Sequence, residues 1–262
     1  LLTLEGLDGS PLLVELRTDQ PPPDAGALVQ RLAQAADGAR VVAGGRVVAS
    51  RGPSSLTLAA GGATFTVSVS SFFQGNRYLL DAFLEEVAAA IAAAVAACGP
   101  VETAWDLYAG AGFLTRPLVA SGARTTAVEI EPSSFADLRT NLDRWRRDGL
   151  PEARAVASTA EASLGSERGT ADLVVADPPR AGMSPRVRAE LLRRRPRHLL
   201  LVSCDPATLA RDVAALDARY RIERGTLLDL FPGTHHVETL FLLRTRRAAE
   251  PGFRASVMLP PG

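Results

Sequence analysis

The sequence contains no lysine, so all 29 of its basic residues are arginine. We interpret this lysine-free, alanine-rich composition as the mark of a GC-rich genome and not as selection for phosphate binding. The 29 acidic residues bring the net charge to zero, so no overall positive field indicates a nucleic-acid partner. Apolar residues make up 47% of the chain and charged residues 22%, a balance typical of soluble globular proteins.

Cysteine is also scarce, because Cys98 and Cys204 are the only two in the chain. Two cysteines cannot form a disulfide framework, a zinc site built from cysteines alone or an iron–sulfur cluster. A chain without disulfides is typical of a reducing compartment. We therefore predict a cytoplasmic protein.

Long hydrophobic runs are missing as well. The longest apolar stretch, residues 87–98, is well short of the ~20 residues that cross a bilayer, so we predict no membrane partner. The first residues, "LLTLEGLDGS", lack the basic segment that opens a signal peptide. They also lack a methionine, and we therefore expect an upstream part of the chain to be missing. We expect the protein to be a monomer.

Residues 1–70 have a different pattern from the rest of the chain. Short apolar runs broken by glycine turns, such as residues 11–16 and 63–69, predict strands. Residues 24–36 have helical spacing behind a candidate cap at Asp24. This part is predicted to form a small α+β domain, and no chemistry is visible in it.

Residues 71–246 show regular alternation of strands and helices. A long helix is predicted to begin near Asn76 and to end at residues 99–100. The strands that follow include continuous apolar runs such as 199–202, which are typical of strands covered by helices on both faces. Such alternation predicts an α/β fold, a Rossmann-like, doubly wound and mostly parallel sheet.

The end of this region differs, because residues 220–231 and 236–245 are predicted strands with no helix between them. Two such strands predict an antiparallel C-terminal hairpin that closes the sheet. Residues 247–262 are predicted to be a tail.

Ligands of open α/β sheets bind beyond the carboxyl ends of the strands, so the residues at those ends were compared. The first strand leads into a turn with Gly110 and Gly112, which let a ligand approach the backbone closely. The next strand ends at Glu129, about 20 residues later, where an acid commonly binds a ribose. The third ends at Asp177, held at the rim by the prolines that follow it. The glycines, Glu129 and Asp177 together predict a site for a nucleoside-containing cofactor.

Cys204 stands at the end of the fourth strand. Asp205 is a candidate cap of the next helix and Pro206 fits its first turn, which places the sulfur near a helix N-terminus. The partial positive charge there favours a thiolate, so we predict a reactive cysteine. Cys98, inside an alanine-rich helix, is predicted to be a buried apolar residue without chemistry.

The hairpin adds Glu238 at the same rim, together with His235 and His236 as candidates for acid–base work. Two histidines, a cysteine and a glutamate are possible zinc ligands. The fixed spacing of a zinc motif is absent, so we predict that the site holds no metal.

Six motifs taken together resemble the S-adenosylmethionine-dependent RNA (uracil-5-)-methyltransferases of tRNA and 23S rRNA. They occur in the family's order over about residues 70–245, while residues 1–70 resemble its central domain more loosely. The motifs are "SFFQGN", "DLYAGAGFLTRPL", "AVEIEP", "ADLVVADPPRAG", "VSCDPATLARD" and "FPGTHHVETLFLL".

This resemblance implies the cofactor S-adenosyl-L-methionine, an RNA partner, and a role for each matching residue. Cys204 matches the nucleophile that adds to C6 of uracil, and Glu238 matches the base that removes the C5 proton. The residues expected to bind the cofactor are Gln74, Tyr108, Gly110, Gly112, Phe113, Glu129 and Asp177.

The chain departs from the family at three of these motifs. Phe113 stands where the family often has asparagine or threonine, and Asp205 where it commonly has asparagine. At the acidic position on the adenosine side it has Thr159, with Glu161 two residues later. The alternative readings are another Rossmann-type methyltransferase, a non-catalytic RNA-binding homologue and, more remotely, a cysteine hydrolase.

Overall fold

A computed structural model describes residues 2–5, 11–230, 233–234 and 237–246. Its N-terminal part is a four-stranded sheet with one helix against it. In chain order the elements are β1 (Leu2–Glu5), β2 (Leu12–Thr18), α1 (Ala25–Leu32), β3 (Gly38–Ala43) and β4 (Arg46–Arg51). The sheet order is β1-β2-β3-β4, in which only β2 and β3 run parallel. The strand β1 was not expected, and the side chain of Asp24 makes no capping hydrogen bond to α1.

A separate hairpin connects this sheet to the rest of the chain. Its strands are β5 (Ser55–Ala60) and β6 (Ala63–Ser68). The backbone of β6 is held by a later helix: Thr66 N–H donates to Asn141 at 2.6 Å, and Ser68 N–H donates to Asp137 at 2.7 Å. Leu56, Leu58 and Phe65 share a core with that half of the molecule. A domain boundary at residue 70 stays a prediction, and this packing favours one nearer to residue 54.

The larger half of the chain is a seven-stranded sheet between two layers of helices, which confirms the predicted fold class. Its elements are α2 (Leu80–Cys98), β7 (Thr103–Leu107), α3 (Thr115–Ala120), β8 (Arg124–Glu129), α4 (Pro132–Arg147), β9 (Arg154–Ala157), α5 (Ala160–Ser166), β10 (Leu173–Ala176), α6 (Pro185–Arg194), β11 (His198–Ser203), α7 (Pro206–Leu216), β12 (Tyr220–Leu228) and β13 (Glu238–Thr245). None of the helices in the described part of the chain is long and apolar enough to span a bilayer.

The strand order is β12-β13-β11-β10-β7-β8-β9. The strands from β9 to β11 run parallel, whereas β13 is antiparallel to both β11 and β12, as the hairpin pattern predicted. Every residue of β10 and β11 is buried, because an apolar core lies on each face of the sheet. The connections reverse direction at β7, and a crevice opens there, outside the carboxyl ends of β7 and β10.

Two helix boundaries differ from the prediction. Helix α2 begins at Leu80 and not near Asn76, because the Asn76 amide is used elsewhere. Its oxygen accepts from Tyr78 N–H at 3.0 Å, and its nitrogen donates to the carbonyl of Leu230 at 2.9 Å. The short helix α5 was not predicted, and Thr159 caps it by accepting from Ala162 N–H at 3.1 Å. Asn76, a residue typical of helix starts, thus forms a turn that connects the loop before α2 to the residues after β12.

Candidate active site

The predicted site residues that the structure describes lie at one rim of the sheet, at the carboxyl ends of four parallel strands. Glu129 follows β8 and contacts the glycine turn after β7, while Gln74 reaches Asp177 after β10. The pairing of β11 with β13 sets Ser203 opposite Thr239, so Cys204 and Glu238 are neighbours. Because parallel strands end on the same side, sequence order alone was enough to bring these groups together.

The glycine turn after β7 holds its shape through positive φ angles. Gly110 has φ +56° and Gly112 has φ +95°, conformations that favour glycine. A Cβ on Gly112 would lie 3.0 Å from a methyl group of Leu138 and 3.2 Å from the ring of Trp145. Tyr108 also has a positive φ, +64°, which is strained for a residue with a bulky side chain. Strain of this kind is typical of functional sites.

Glu129 is held in place by backbone N–H groups. One carboxylate oxygen accepts from Gly110 at 2.8 Å, and the other accepts from Ile130 at 2.7 Å and Glu131 at 2.6 Å. These bonds fix the carboxylate against the glycine turn, where its remaining lone pairs are available to hydroxyl donors. Such a position suits the ribose-binding role that the sequence predicted.

A small cavity lies between this turn and the loop before α2. Phe113 forms its inner wall, because its ring is 6% exposed and packs edge-on against Phe73 and Phe83. Phe113, which was predicted to bind the cofactor, therefore forms an apolar wall that the cavity shares with the core. The residues that line the cavity are Phe72, Phe73, Gln74, Tyr108, Ala109, Gly110, Ala111, Phe113, Leu114 and Asp177.

Three carboxyl groups at the rim have raised pKa values. Burial, together with the charges of Asp177 and Glu129, raises the pKa of Asp106 to about 7, although the hydrogen bond from Thr115 lowers it in part. Burial raises the pKa of Asp177 to about 6, although the Gln74 amide, at 3.3 Å, lowers it in part. Burial and then the charge of Asp177 raise the pKa of Glu238 to about 8. A cation bound at the rim would therefore favour the ionised forms of these carboxyl groups and lower their pKa values.

Asp106 was not singled out by sequence reasoning. It is completely buried, and one of its oxygens accepts from the Thr115 hydroxyl at 2.5 Å. Its other oxygen, Oδ1, is buried and has no hydrogen-bond partner among the described residues. An acid inside the apolar strand "TAWDL" was the available signal, since a buried carboxyl without a partner is costly.

The thiol of Cys204 differs from the expectation of a thiolate at a helix N-terminus. Burial raises its pKa, the charge of Glu238 raises it further, and the Arg180 guanidinium opposes them only in part. The predicted cap is confirmed, because Asp205 accepts from Ala207 N–H at 2.9 Å and from Thr208 N–H at 3.0 Å. Burial of the sulfur and the charge of Glu238 nevertheless outweigh any effect of the helix end on the thiol.

Arg180 reaches the thiol from a loop that α7 holds. The buried carboxylate of Asp212, on α7, accepts from Met183 N–H at 2.8 Å and from the Arg188 guanidinium at 2.6 Å. A Cβ on Gly182 would lie 2.6 Å from the same carboxylate. Sequence reasoning missed both Arg180 and Asp212, although "DPPRAG" and "LARD" contain them, because their partners are distant in sequence.

On the adenosine side, Glu161 and not Thr159 supplies a carboxylate to the rim. Thr159 is occupied as the cap of α5, whereas a Glu161 oxygen accepts from the Ser184 hydroxyl at 2.7 Å. Burial, and then the charge of Glu161, raise the pKa of Tyr108 to about 12. Glu161 therefore lies within electrostatic range of the strained Tyr108.

The predicted acid–base candidates His235 and His236, like the predicted tail at 247–262, lie outside the described residues. Among residues that are described, no group of three or more histidine, cysteine, aspartate and glutamate side chains is arranged to hold a metal ion. Cys98 is a free cysteine and the last residue of α2, where it is half-buried and not fully buried as predicted. Its carbonyl accepts from Arg197, the partner of Asp172, which places it away from the rim.

Comparison with known proteins identifies relatives of the larger half of the chain. Residues 54–246 match the family model of the tRNA (uracil-5-)-methyltransferases. A segment of 151 residues is 40% identical to an uncharacterized RNA methyltransferase of Nitratidesulfovibrio vulgaris, covering 55% of this chain and 32% of the relative. Over 188 residues the chain is 35% identical to an uncharacterized RNA methyltransferase of Porphyromonas gingivalis, covering 70% of this chain and 39% of the relative. The chain thus spans less than half the length of these curated relatives.

Solved structures extend the likeness to the N-terminal sheet. The crystal structure of the Pyrococcus abyssi tRNA (uracil-54, C5)-methyltransferase in complex with S-adenosyl-L-homocysteine matches with a TM-score of 0.72 at 25% identity. That match covers 92% of this chain and 58% of the other. A SAM-dependent methyltransferase from Agrobacterium tumefaciens matches with a TM-score of 0.56 at 16% identity, over 90% of this chain and 85% of the other, which is a likeness of fold.

Proposed function

Because the chain belongs to the tRNA (uracil-5-)-methyltransferase family, we propose that it transfers a methyl group from S-adenosyl-L-methionine to C5 of a uridine in tRNA or rRNA. One observation carries this proposal: a cysteine thiol and a buried carboxyl lie side by side at the rim that holds the cofactor cavity. A methyltransferase acting on a more nucleophilic atom needs no such pair.

The residues around the cavity fit the proposed cofactor. The glycine turn leaves backbone open to a ligand, and Glu129 stands beside it with acceptors for a ribose. The half-buried Asp177 offers a carboxylate to a cationic ligand, and Oδ1 of Asp106 has no partner among the described residues. Tyr108 and Gln74 complete the wall. When bound, S-adenosyl-L-methionine supplies a methyl group on a positively charged sulfur.

Cys204 and Glu238 carry the two steps that C5 requires. Carbon-5 of uracil is a poor nucleophile, because the ring is electron-poor. The Cys204 thiol loses its proton to solvent, and its sulfur adds to C6, which forms an S–C6 bond and moves the C5–C6 electron pair into an enolate. C5 then bonds to the methyl group as the bond between that methyl and the cofactor sulfur breaks. Glu238 then takes the C5 proton, the C5–C6 double bond re-forms and the S–C6 bond breaks. No further group is needed for the electrons to balance.

The pKa values indicate when these two residues become competent. In the free protein, the Glu238 pKa of about 8 leaves this carboxyl mostly protonated at neutral pH, which is the wrong state for a base. The thiol pKa is raised as well. Both values fall when a cation binds at the rim, since an opposite charge favours the ionised carboxylate and offsets its repulsion of the thiolate. Binding of the cationic cofactor thus favours ionisation of Glu238.

The test uses unmodified transcripts of tRNA and 23S rRNA with the whole chain and labelled cofactor. Wild-type protein is expected to form 5-methyluridine in one of the two, detected by mass spectrometry of nucleosides. On RNA with 5-fluorouridine at the target it is expected to stall as a covalent adduct that survives denaturing gels. Cys204→Ala should give neither product, whereas the matched control Cys98→Ala should give both. Methylation by Cys204→Ala at the wild-type rate would show that the cysteine is structural and the mechanism wrong.

A further inference from the structure

A groove of about 770 Å³ runs along the loop before α2, between the end of β2 and the end of β12. It opens on the cofactor cavity, because Phe72, Phe73 and Gln74 line both. Its two charged lining residues in the described part of the chain, Arg17 and Arg77, are both arginine. The groove is therefore electropositive along its length and continuous with the candidate active site.

Tyr78 is an unusual feature of this groove. Tyr78 is 75% exposed, and Phe72, which lines the same groove, is 70% exposed. Exposed apolar side chains grouped in one groove are typical of an interaction site. The guanidinium of Arg77 lies 5.1 Å from the ring centroid and donates to the Tyr78 hydroxyl at 3.1 Å. A cation placed against a ring restricts the orientation of that ring, so Arg77 and Tyr78 form one unit.

The backbone under this unit is fixed to the catalytic hairpin. Asn76 accepts from Tyr78 N–H and donates to the carbonyl of Leu230, which follows β12. Glu238 begins β13, the partner of that strand, and Leu228 lies opposite it. The position of Tyr78 relative to Glu238 is thus set by hydrogen bonds and not by a free loop.

The opposite wall of the groove is anchored as well. Arg17 donates from Nε to the buried carboxylate of Glu15 at 2.6 Å, while 53% of its side chain stays exposed. Arg40 and Ser70 hold the same carboxylate. An arginine fixed at one nitrogen and open to solvent is suited to a phosphate.

We propose that Tyr78, backed by Arg77, is a stacking platform for the base of a nucleotide adjacent to the target uridine, with Arg17 contacting the phosphate backbone. The occupant is single-stranded RNA, because a flat ring flanked by arginines meets both the faces of bases and the charge of phosphates. This inference rests on the proposed function for the identity of the target. It adds the path of the strand outside the active site.

The first test measures the affinity of the whole chain for a fluorescein-labelled 15-nucleotide single-stranded RNA with one central uridine. Tyr78→Ala is expected to bind about 5- to 150-fold more weakly, the range that loss of one base–aromatic stack produces. Tyr78→Phe keeps the ring and should bind within about 2-fold of wild type. The control is Leu227→Ala, since Leu227 is 61% exposed and does not line the groove.

A second set of probes identifies the stacked base. Each probe carries one abasic residue at a different position beside the uridine. One of them should weaken binding of wild type as much as Tyr78→Ala does, and should weaken Tyr78→Ala no further. Arg17→Gln should lower the slope of log affinity against log salt concentration by about 0.7, the value for one single-strand phosphate, while Tyr78→Ala leaves this slope unchanged.

Unchanged RNA affinity in Tyr78→Ala would overturn the platform, whatever the protein catalyses. A dimer that Tyr78→Ala converts to a monomer in sedimentation, with RNA affinity unchanged, would assign the ring to a second copy of the chain instead. The proposed function is judged apart from this, by 5-methyluridine formation and by the Cys204 adduct at saturating RNA. A platform without methylation, or methylation without a platform, is therefore distinguishable.

Discussion

Acidic side chains have opposite environments at the amino ends of the parallel strands, here called the amino edge, and at their carboxyl ends, the carboxyl rim. At the amino edge, Asp172 accepts from the N–H groups of Glu102 and Thr103, at 2.9 and 3.0 Å, and pairs with Arg197 at 2.9 Å. At the carboxyl rim, Asp106 is fully buried and Asp177 is half-buried, and desolvation raises the pKa of both. Asp172 at the amino edge thus has hydrogen bonds and an arginine partner, whereas Asp106 and Asp177 at the carboxyl rim lack a positively charged partner among the described residues.

The pKa of Asp172 shows how the amino edge achieves this. Partial burial raises it, but hydrogen bonds from Thr103 and Glu102 and the charge of Arg197 together hold the pKa of Asp172 below its ordinary value. An ionised, fully bonded carboxylate stabilises the fold. The carboxyl rim has the opposite property, because like charges in a buried place favour the protonated form and weaken the fold when ionised. The contrast shows which edge is built for stability and which for binding.

The largest effect is expected when the base that we propose at the rim, Glu238, is removed. Glu238→Gln keeps the size and most hydrogen bonding of the side chain, but it cannot take the C5 proton. We expect turnover to fall by ~10²–10⁴-fold, as is usual when a general base is lost, with a methylated protein–RNA adduct accumulating. Glu223→Gln, in the same hairpin but paired with Arg244 and His198 at the amino edge, is the matched control and should turn over normally. Free turnover by Glu238→Gln would place the base elsewhere.

Stability against pH offers a second test of the rim. Because the pKa of Asp106 is raised to about 7 from 3.8, the folded protein holds this proton more tightly than the unfolded chain. The resulting stability is complete below pH ~4 and is lost as pH rises through 7. Asn stays neutral, so Asp106→Asn should gain stability over wild type between these pH values, by up to about 4 kcal/mol. Urea unfolding at pH 5 and pH 8 measures this gain, and an equal difference at both would contradict it.

The third prediction concerns Asp177 and the affinity of the protein for S-adenosyl-L-methionine. Asp177→Asn keeps the shape of the side chain and a partner for Gln74, but removes the charge that a cationic ligand meets. A hydrogen bond to a charged group contributes about 1.5–3 kcal/mol, so binding of S-adenosyl-L-methionine should weaken about 10- to 150-fold. Calorimetry on the whole chain measures this. Affinity equal to that of wild type would exclude Asp177 from the cofactor site.

The smallest effect is expected at the amino edge. Asp172→Asn weakens the ion pair with Arg197, which is partly exposed, and should cost about 1 kcal/mol of stability at pH 7. This cost should shrink on acidification, because the low pKa of Asp172 means that its contribution is lost as pH falls. Cofactor affinity should not change. A weakened cofactor complex in this variant would contradict the separation between the two edges.

The order of motifs predicted the rim well, since strand ends in a parallel sheet must meet. Gly110, Gly112, Glu129 and Asp177 needed only this topological rule. The pKa of the Cys204 thiol was predicted in the wrong direction, because it depends on burial and then on the charges of Glu238 and Arg180, which are distant in sequence.

Other misses have the same origin. Asn76 has the local features of a helix start, yet its bond to Leu230 stabilises a turn there. Asp106 lies in an apolar strand whose pattern gives no sign that one carboxylate oxygen is left without a partner. Local patterns predict elements, whereas the electrostatics of a site depend on contacts between elements.

The surroundings of Cys204 at the start of α7 have a consequence for the free protein. Asp205 takes the first N–H groups of the helix, while burial and then the charge of Glu238 raise the pKa of the thiol, so Cys204 is a neutral thiol at rest. Oxidants and electrophiles attack thiolates far faster than thiols. The nucleophile is therefore shielded from sulfenic acid formation and from adventitious alkylation while no substrate is present. We therefore expect Cys204 to react when cofactor and RNA are bound, and to resist oxidation and alkylation in the free protein.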